Sequence, residues 1–222
     1  NFSGPKLQAV WQWNHAPEDT RWSLAERSGY LRLHSLPATD FWWARNTLTQ
    51  RAIGPESTPT TELDGSGLNN GDVAGLALLN LPYAWIGLQR GGNGYALTQY
   101  DHTTGNTVRE TVNNPRIWLR VHCNFDTDQA IFSWSADGRA FTPLGSPFTT
   151  TFQLTTFQGV RPALFNFNTS GQPGGHADFD NYTVEEPRPR GIEREIPMGT
   201  IILLTSGADG SVLAADTRSN VL

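Results

Sequence analysis

The chain has 222 residues, with 21 Asp and Glu against 16 Lys and Arg, a formal net charge of -5 and 37% hydrophobic residues. That balance excludes a disordered chain, and the scattered Lys and Arg exclude a nucleic-acid partner, which would require a clustered basic patch. No apolar run approaches the ~18 residues of a membrane-spanning helix, so no membrane partner is expected. The single cysteine, Cys123, allows no internal disulfide and reads as a buried, inert thiol. No signal peptide opens the chain, and Asn1 to Pro5 read as a cut made inside a longer protein.

Taken in order, the first segment is dominated by aromatic rings. Trp11-Gln12-Trp13-Asn14-His15, Arg21-Trp22-Ser23-Leu24 and Phe41-Trp42-Trp43-Ala44-Arg45 hold five of the eight tryptophans. Most such rings belong in a core. Rings set beside Asn, His, Gln and Arg are also what a sugar-binding surface needs, because a pyranose stacks its C–H face and hydrogen-bonds its rim. Tyr30 to His34 alternates apolar and polar residues as a strand does. Asp40 to Arg51 reads as one long strand, with Phe41, Trp43, Arg45 and Arg51 on one face and Trp42, Ala44, Asn46 and Gln50 on the other. Asn46 and Gln50 would need internal hydrogen-bond partners if buried. A polar groove beside aromatic rings and an ordinary solvated strand face are equally compatible with that pattern.

Ile86 to Gln89, the glycine turn at 91–94, and Tyr95 to Tyr100 predict a hairpin. Ile117 to Val121 and Ala130 to Ser135 are further strands, and Asp137-Gly138 predicts a primed two-residue turn leading to Phe141. Short strands at regular spacing define an all-β fold, a two-sheet antiparallel β-sandwich. The main module is expected over residues 1–186, and the Pro- and charge-rich stretch 187–199 is expected to be a connector. Residues 200–222 carry one more hairpin, either an extra hairpin packed on the sandwich or the truncated start of a further β-domain.

Catalytic signatures are missing from the sequence. There is no Gly-x-Ser-x-Gly elbow and no His-Glu-x-x-His, and the five histidines lack ligand spacing. Asp178 and Asp180, with Asn181 beside them, alternate at a strand end and are a candidate structural calcium site; simple solvation is the competing reading.

Trp11 to His15, Arg21 to Leu24, Gly29 to Leu33, Ala44 to Arg51, Asp72 to Leu76 and Ala177 to Asp180 together resemble one known module. It is the C-terminal concanavalin A-like β-sandwich of glycoside hydrolase family 43 β-xylosidases and arabinofuranosidases, some relatives of which are classed as xylan-binding modules (carbohydrate-binding module family 91). The resemblance covers roughly residues 1 to 186 and implies a jelly-roll-like sandwich behind a five-bladed catalytic propeller that this sequence lacks. It implies a non-catalytic accessory module that partners the propeller and binds xylan or xylo-oligosaccharide. It also implies that a phenylalanine reaches the propeller's active-site mouth, for which Phe41 is the matching candidate. The candidate carbohydrate-binding set is Trp13, Asn14, His15, Phe41, Trp42, Trp43 and Arg45. Trp42 and Trp43 would stack on sugar rings, while Asn14, His15 and Arg45 would hydrogen-bond hydroxyls. The alternative is a structural module that buttresses the propeller without binding sugar itself. An extracellular parent enzyme is expected, with a cytoplasmic one as the alternative. Ile202 to Leu213 lies outside the resemblance and is weakly similar to a β-trefoil or fascin-like repeat.

Overall fold

A computed structural model describes residues 2–151, 156, 159–186, 202–206 and 212–216. Two antiparallel sheets make up the first unit, Asn1–Pro187. The first sheet runs Gln12–Trp13, Leu48–Thr49, Arg161–Asn168, Asp72–Leu79, Ala84–Gly91, Gly94–Asp101 and Asn106–Val112 from edge to edge. The second runs Thr142–Pro143, Gln129–Ser135, Arg116–Asn124, Glu56–Asp64, His176–Glu185, Leu31–His34 and Trp22–Ser23. The chain is therefore all-β, with a concanavalin A-like sandwich as its main body.

Period-two patterning places the core between the sheets. Along Arg116–Asn124, Ile117, Leu119, Val121 and Cys123 are buried, while the residues between them face outward. Burial pushes the Cys123 thiol up to about 12, so it stays protonated at neutral pH. Asp72–Leu79 behaves differently, because every residue in it is buried. Ala74, Leu76 and Leu78 join the inter-sheet core, whereas Val73, Ala77 and Leu79 join a second apolar cluster on the sheet's outer face. That cluster contains Tyr83, Trp85, Phe165 and Phe167, and Phe41 closes it from above. Gly75 and Gly87 pair across strands at its centre, where a Cβ on either would lie within 2.2 Å of the opposite backbone. Only glycine allows that approach.

The hairpin expected around 91–94 is present, with Gly91 paired to Gly94 and Gly94 at φ +130°. The turn at Asp137-Gly138 is not the primed two-residue turn expected. Trp134 pairs with Thr142, leaving a loop over 135–141 in which Gly138 has positive φ and Asp137 does not. Ser135 Oγ accepts from the Asp137 and Gly138 amides, and Asp137 Oδ1 accepts from the Arg139 amide. These side chains satisfy the loop's N–H groups without a tight hairpin.

Asp72 is fully buried and opens its strand. Its Oδ1 accepts from Ser35 Oγ at 2.6 Å and Asn168 Nδ2 at 2.7 Å. Its Oδ2 accepts from the amides of Asn69 at 2.6 Å and Gly175 at 2.8 Å. A second unit, 188–222, contains an antiparallel pair, Ile202–Ser206 with Val212–Asp216. The connector expected over 187–199 lies outside the described residues. Removing the Asp72 carboxylate takes the acceptor from four donors, of which those of Ser35 and Asn168 are buried, so Asp72→Ala should lower unfolding free energy by about 3 kcal/mol or more in urea titration.

Candidate functional site

The N-terminal edge of the first sheet carries the candidate residues. Gln12–Trp13 pairs with Leu48–Thr49, and the Asn14 amide then donates to the Thr47 carbonyl at 2.9 Å. The long strand expected over Asp40 to Arg51 does not form. Phe41–Trp43 instead makes a 3-10 turn, capped by Asp40, whose carboxylate accepts from the Trp42 amide at 2.8 Å. Asn46 sits at φ +56°, a left-handed conformation that ends any extended run and that Asn tolerates well. Only Leu48–Thr49 is strand.

Asn46 is buried and finds the partners that burial demands. Its Nδ2 donates to the Glu18 carbonyl at 3.0 Å, and its Oδ1 accepts from the Glu18 amide at 2.8 Å. His15 Nε2 donates to the Trp42 carbonyl at 3.2 Å. These bonds fasten the loop after the first strand to the 3-10 turn at Trp42 and to Asn46, so Asn14 and His15 lie on one of the fastened segments and Trp42, Trp43 and Arg45 on the other. Asn46 holds the two segments together without being a candidate ligand.

The candidate rings divide sharply. Trp43 is 62% exposed, the most exposed large apolar side chain among the described residues. Trp42 is half-buried against the outer aromatic cluster, and Trp13 packs on Trp22 with ring centroids 5.2 Å apart. Phe41 requires a correction. It is 1% exposed, held edge-on to Phe165 at 4.9 Å and beside Tyr83 at 5.1 Å. An outward reach to another module would mean pulling a large ring out of a packed cluster, so Phe41 is an anchor for the turn. Arg45 is mostly exposed and 3.8 Å from Glu18, a weak surface pair that leaves its guanidinium accessible.

The calcium expectation at Asp178 and Asp180 meets different chemistry. Asp178 Oδ1 accepts from Arg32 Nε at 2.7 Å, and its Oδ2 accepts from Arg32 Nη2 at 2.8 Å and Arg27 Nη1 at 2.9 Å. Arg27 also donates to Asp64 at 2.8 Å. Two guanidiniums occupy both Asp178 oxygens, which leaves Asp180 alone of the expected pair, and no group of three or more His, Cys, Asp or Glu suited to a metal occurs among the described residues. Asn181, at φ +49°, sits in a bulge and donates to Glu62. Burial acts to raise the Asp178 pKa, but the hydrogen bonds from Arg32 and Arg27 outweigh it and hold the carboxyl below its ordinary value.

Residues 1–185 match the family described as the β-xylosidase C-terminal concanavalin A-like domain, and the chain belongs to that family. A β-xylosidase of Formosa agariphila is 32% identical over 86% of this chain and 35% of its own length. The chain thus spans about a third of that relative's length. A bifunctional family 43 glycoside hydrolase–carbohydrate esterase of Bacteroides eggerthii superposes with a TM-score of 0.78 at 34% identity, over 82% of this chain and 24% of that one. A family 43 glycoside hydrolase engineered to display both endo-xylanase and exo-arabinofuranosidase activity gives a TM-score of 0.77 at 28% identity, over 84% of this chain and 40% of that one.

The ion-pair network sets an acid limit. Asp64 and Asp178 both have folded pKa values below their ordinary range, so the unfolded chain binds protons first. Their stabilisation is complete above the ordinary carboxylate pKa of ~4 and is lost as pH falls through the lower folded values. Melting temperature should therefore fall steeply below about pH 4, and Asp178→Asn, less stable at neutral pH, should show a shallower acid slope.

Proposed function

We propose that this domain is a non-catalytic accessory module of a xylan-degrading glycoside hydrolase and that it presents Trp43 to xylan or xylo-oligosaccharide. The observation that carries this reading is an exposed indole on a turn whose backbone is already held by Asp40 and His15, with Arg45 two residues on. A ring fixed before binding loses little freedom when a sugar stacks on it. Asn14, His15 and Arg45 supply planar polar groups for hydroxyls at its rim.

Cleavage falls to a propeller in the same polypeptide. This domain's Asp64 and Asp178 are held ionised by Arg27 and Arg32, which unsuits them for donating a proton to a leaving group. Xylan is a polymer, so this reading places the parent enzyme outside the cell. No helix among the described residues is long and apolar enough to cross a membrane.

A second reading has its own support. Exposed Val10 and Ile53, together with Trp43, are residue types found in interface cores, and the chain spans only a third of its relative. The module would then buttress the propeller and complete its substrate pocket. Calorimetric titration with xylohexaose, with cellohexaose as control, separates the two. We expect saturable heat with the xylan ligand and about fivefold weaker binding in Trp43→Ala, from loss of ~1 kcal/mol of stacking. Unchanged affinity in that variant would sink the assignment of Trp43, and no heat at millimolar ligand would favour the buttress. Phe41→Ala should instead cost about 3 kcal/mol or more of stability, read as a lowered urea midpoint.

A further inference from the structure

Ion pairing is unevenly distributed over this molecule. Arg27, Arg32 and Arg116 each meet a carboxylate directly, at Asp64 and Asp178, at Asp178, and at Glu62. Arg51 and Arg161 do not. They line a cleft of about 560 Å³ at one end of the sandwich, together with Asn80, Phe125, Asp128 and Thr150. Among the described residues no carboxylate lies within 4.0 Å of either guanidinium. The segment between Thr151 and Gly159 carries no Asp or Glu in its sequence, so it supplies no counter-charge.

Arg161 is held in place by neutral acceptors alone. Its Nη1 donates to Gln12 Oε1 at 2.7 Å and to Thr49 Oγ1 at 3.3 Å. Its Nε is buried and has no acceptor among the described residues. Burial and the neighbouring Arg51 charge both act against its protonated form. A fixed, half-buried guanidinium with a spare N–H and a like charge beside it is a poor arrangement for stability alone. It is a good one for receiving a carboxylate, whose two oxygens match the planar fork.

We propose that this cleft binds the carboxylate of a sugar acid, a hexuronate carried on a xylan-type chain. The carboxylate would take the Arg161 and Arg51 donors, the sugar's C–H face would lie against the half-buried Phe125 ring, and Asp128 and Thr150 would accept from hydroxyls. The cleft's size fits a small ring system, and its concave shape favours a sugar over an acidic side chain offered by another protein. Gln12, which accepts from Arg161, lies two residues before Asn14, so the cleft adjoins the strand that leads into that candidate residue. The inference goes beyond the proposed function and does not require Trp43 to bind.

The test titrates the chain with glucuronic acid-substituted xylotriose, with its methyl ester, and with unsubstituted xylohexaose. The ester keeps the sugar and removes the charge. We expect the acid to bind at least about tenfold more tightly than the ester, with that preference shrinking as salt is raised. Arg161→Met should abolish the preference; Arg51→Met, at an exposed position without a side-chain hydrogen bond among the described residues, should weaken it without altering the melting temperature. Equal binding of acid and ester, no saturable binding of the acid at about 10 mM, or a preference surviving in both variants would each overturn the inference. An acid that fails to bind would point instead to a protein carboxylate as the missing counter-charge. Failure with xylohexaose alone leaves this inference standing, and failure with the acid alone leaves the Trp43 reading standing.

Discussion

The buried carboxylate of Asp72 is the constraint on which the rest of the sandwich depends. It joins Ser35, Asn69, Asn168 and Gly175, which lie where the chain passes between the two sheets. Gly174 completes the knot, because a Cβ there would lie 1.9 Å from Asp72 Oδ1. The geometry then propagates towards the candidate surface. With Ser35 and Asn168 fixed, Leu36–Pro37 pairs in parallel with Phe167 and Asn168, and the Ala38 amide donates to the Asn168 carbonyl. That route delivers Phe41 onto the aromatic cluster and turns Trp43 outward. A buried anion satisfied by four donors is rigid, since losing any one donor costs about as much as a whole hydrogen bond.

The first sheet is unusual in being packed on both faces. Its inner face builds the main core, while its outer face carries Tyr83, Trp85, Phe165 and Phe167 under the cover of Phe41. The cover explains why two neighbouring aromatics have opposite fates. A 3-10 turn spreads successive side chains around its axis, so when Phe41 points into the cluster Trp43 must point away. Burial of the first ring is what holds the second in the open.

Charge is handled differently on the two sheets. The second sheet's outer face is a closed network in which Arg27, Arg32 and Arg116 neutralise Asp64, Asp178 and Glu62. The cleft beside the first sheet holds Arg51 and Arg161 without such partners among the described residues. An excess of acidic residues in the chain makes that contrast meaningful, because counter-charges are not scarce.

The sequence by itself determined the all-β class, the main strands and the family. Alternation along Arg116–Asn124 and the glycine turn at 91–94 are local patterns, and local patterns report strand faces directly. It also posed the right question about Asn46, a polar residue needing partners, while the answer lay at Glu18, far away in sequence. Tertiary structure alone decided what happens over Asp40 to Arg51, because alternating residue types read as a strand until Asp40 caps a turn and Asn46 takes a left-handed backbone. It alone decided that Phe41 is an anchor and that Asp178 meets arginines rather than a cation. Each of those outcomes depends on groups brought together across the fold, and a one-dimensional pattern carries no distance between them.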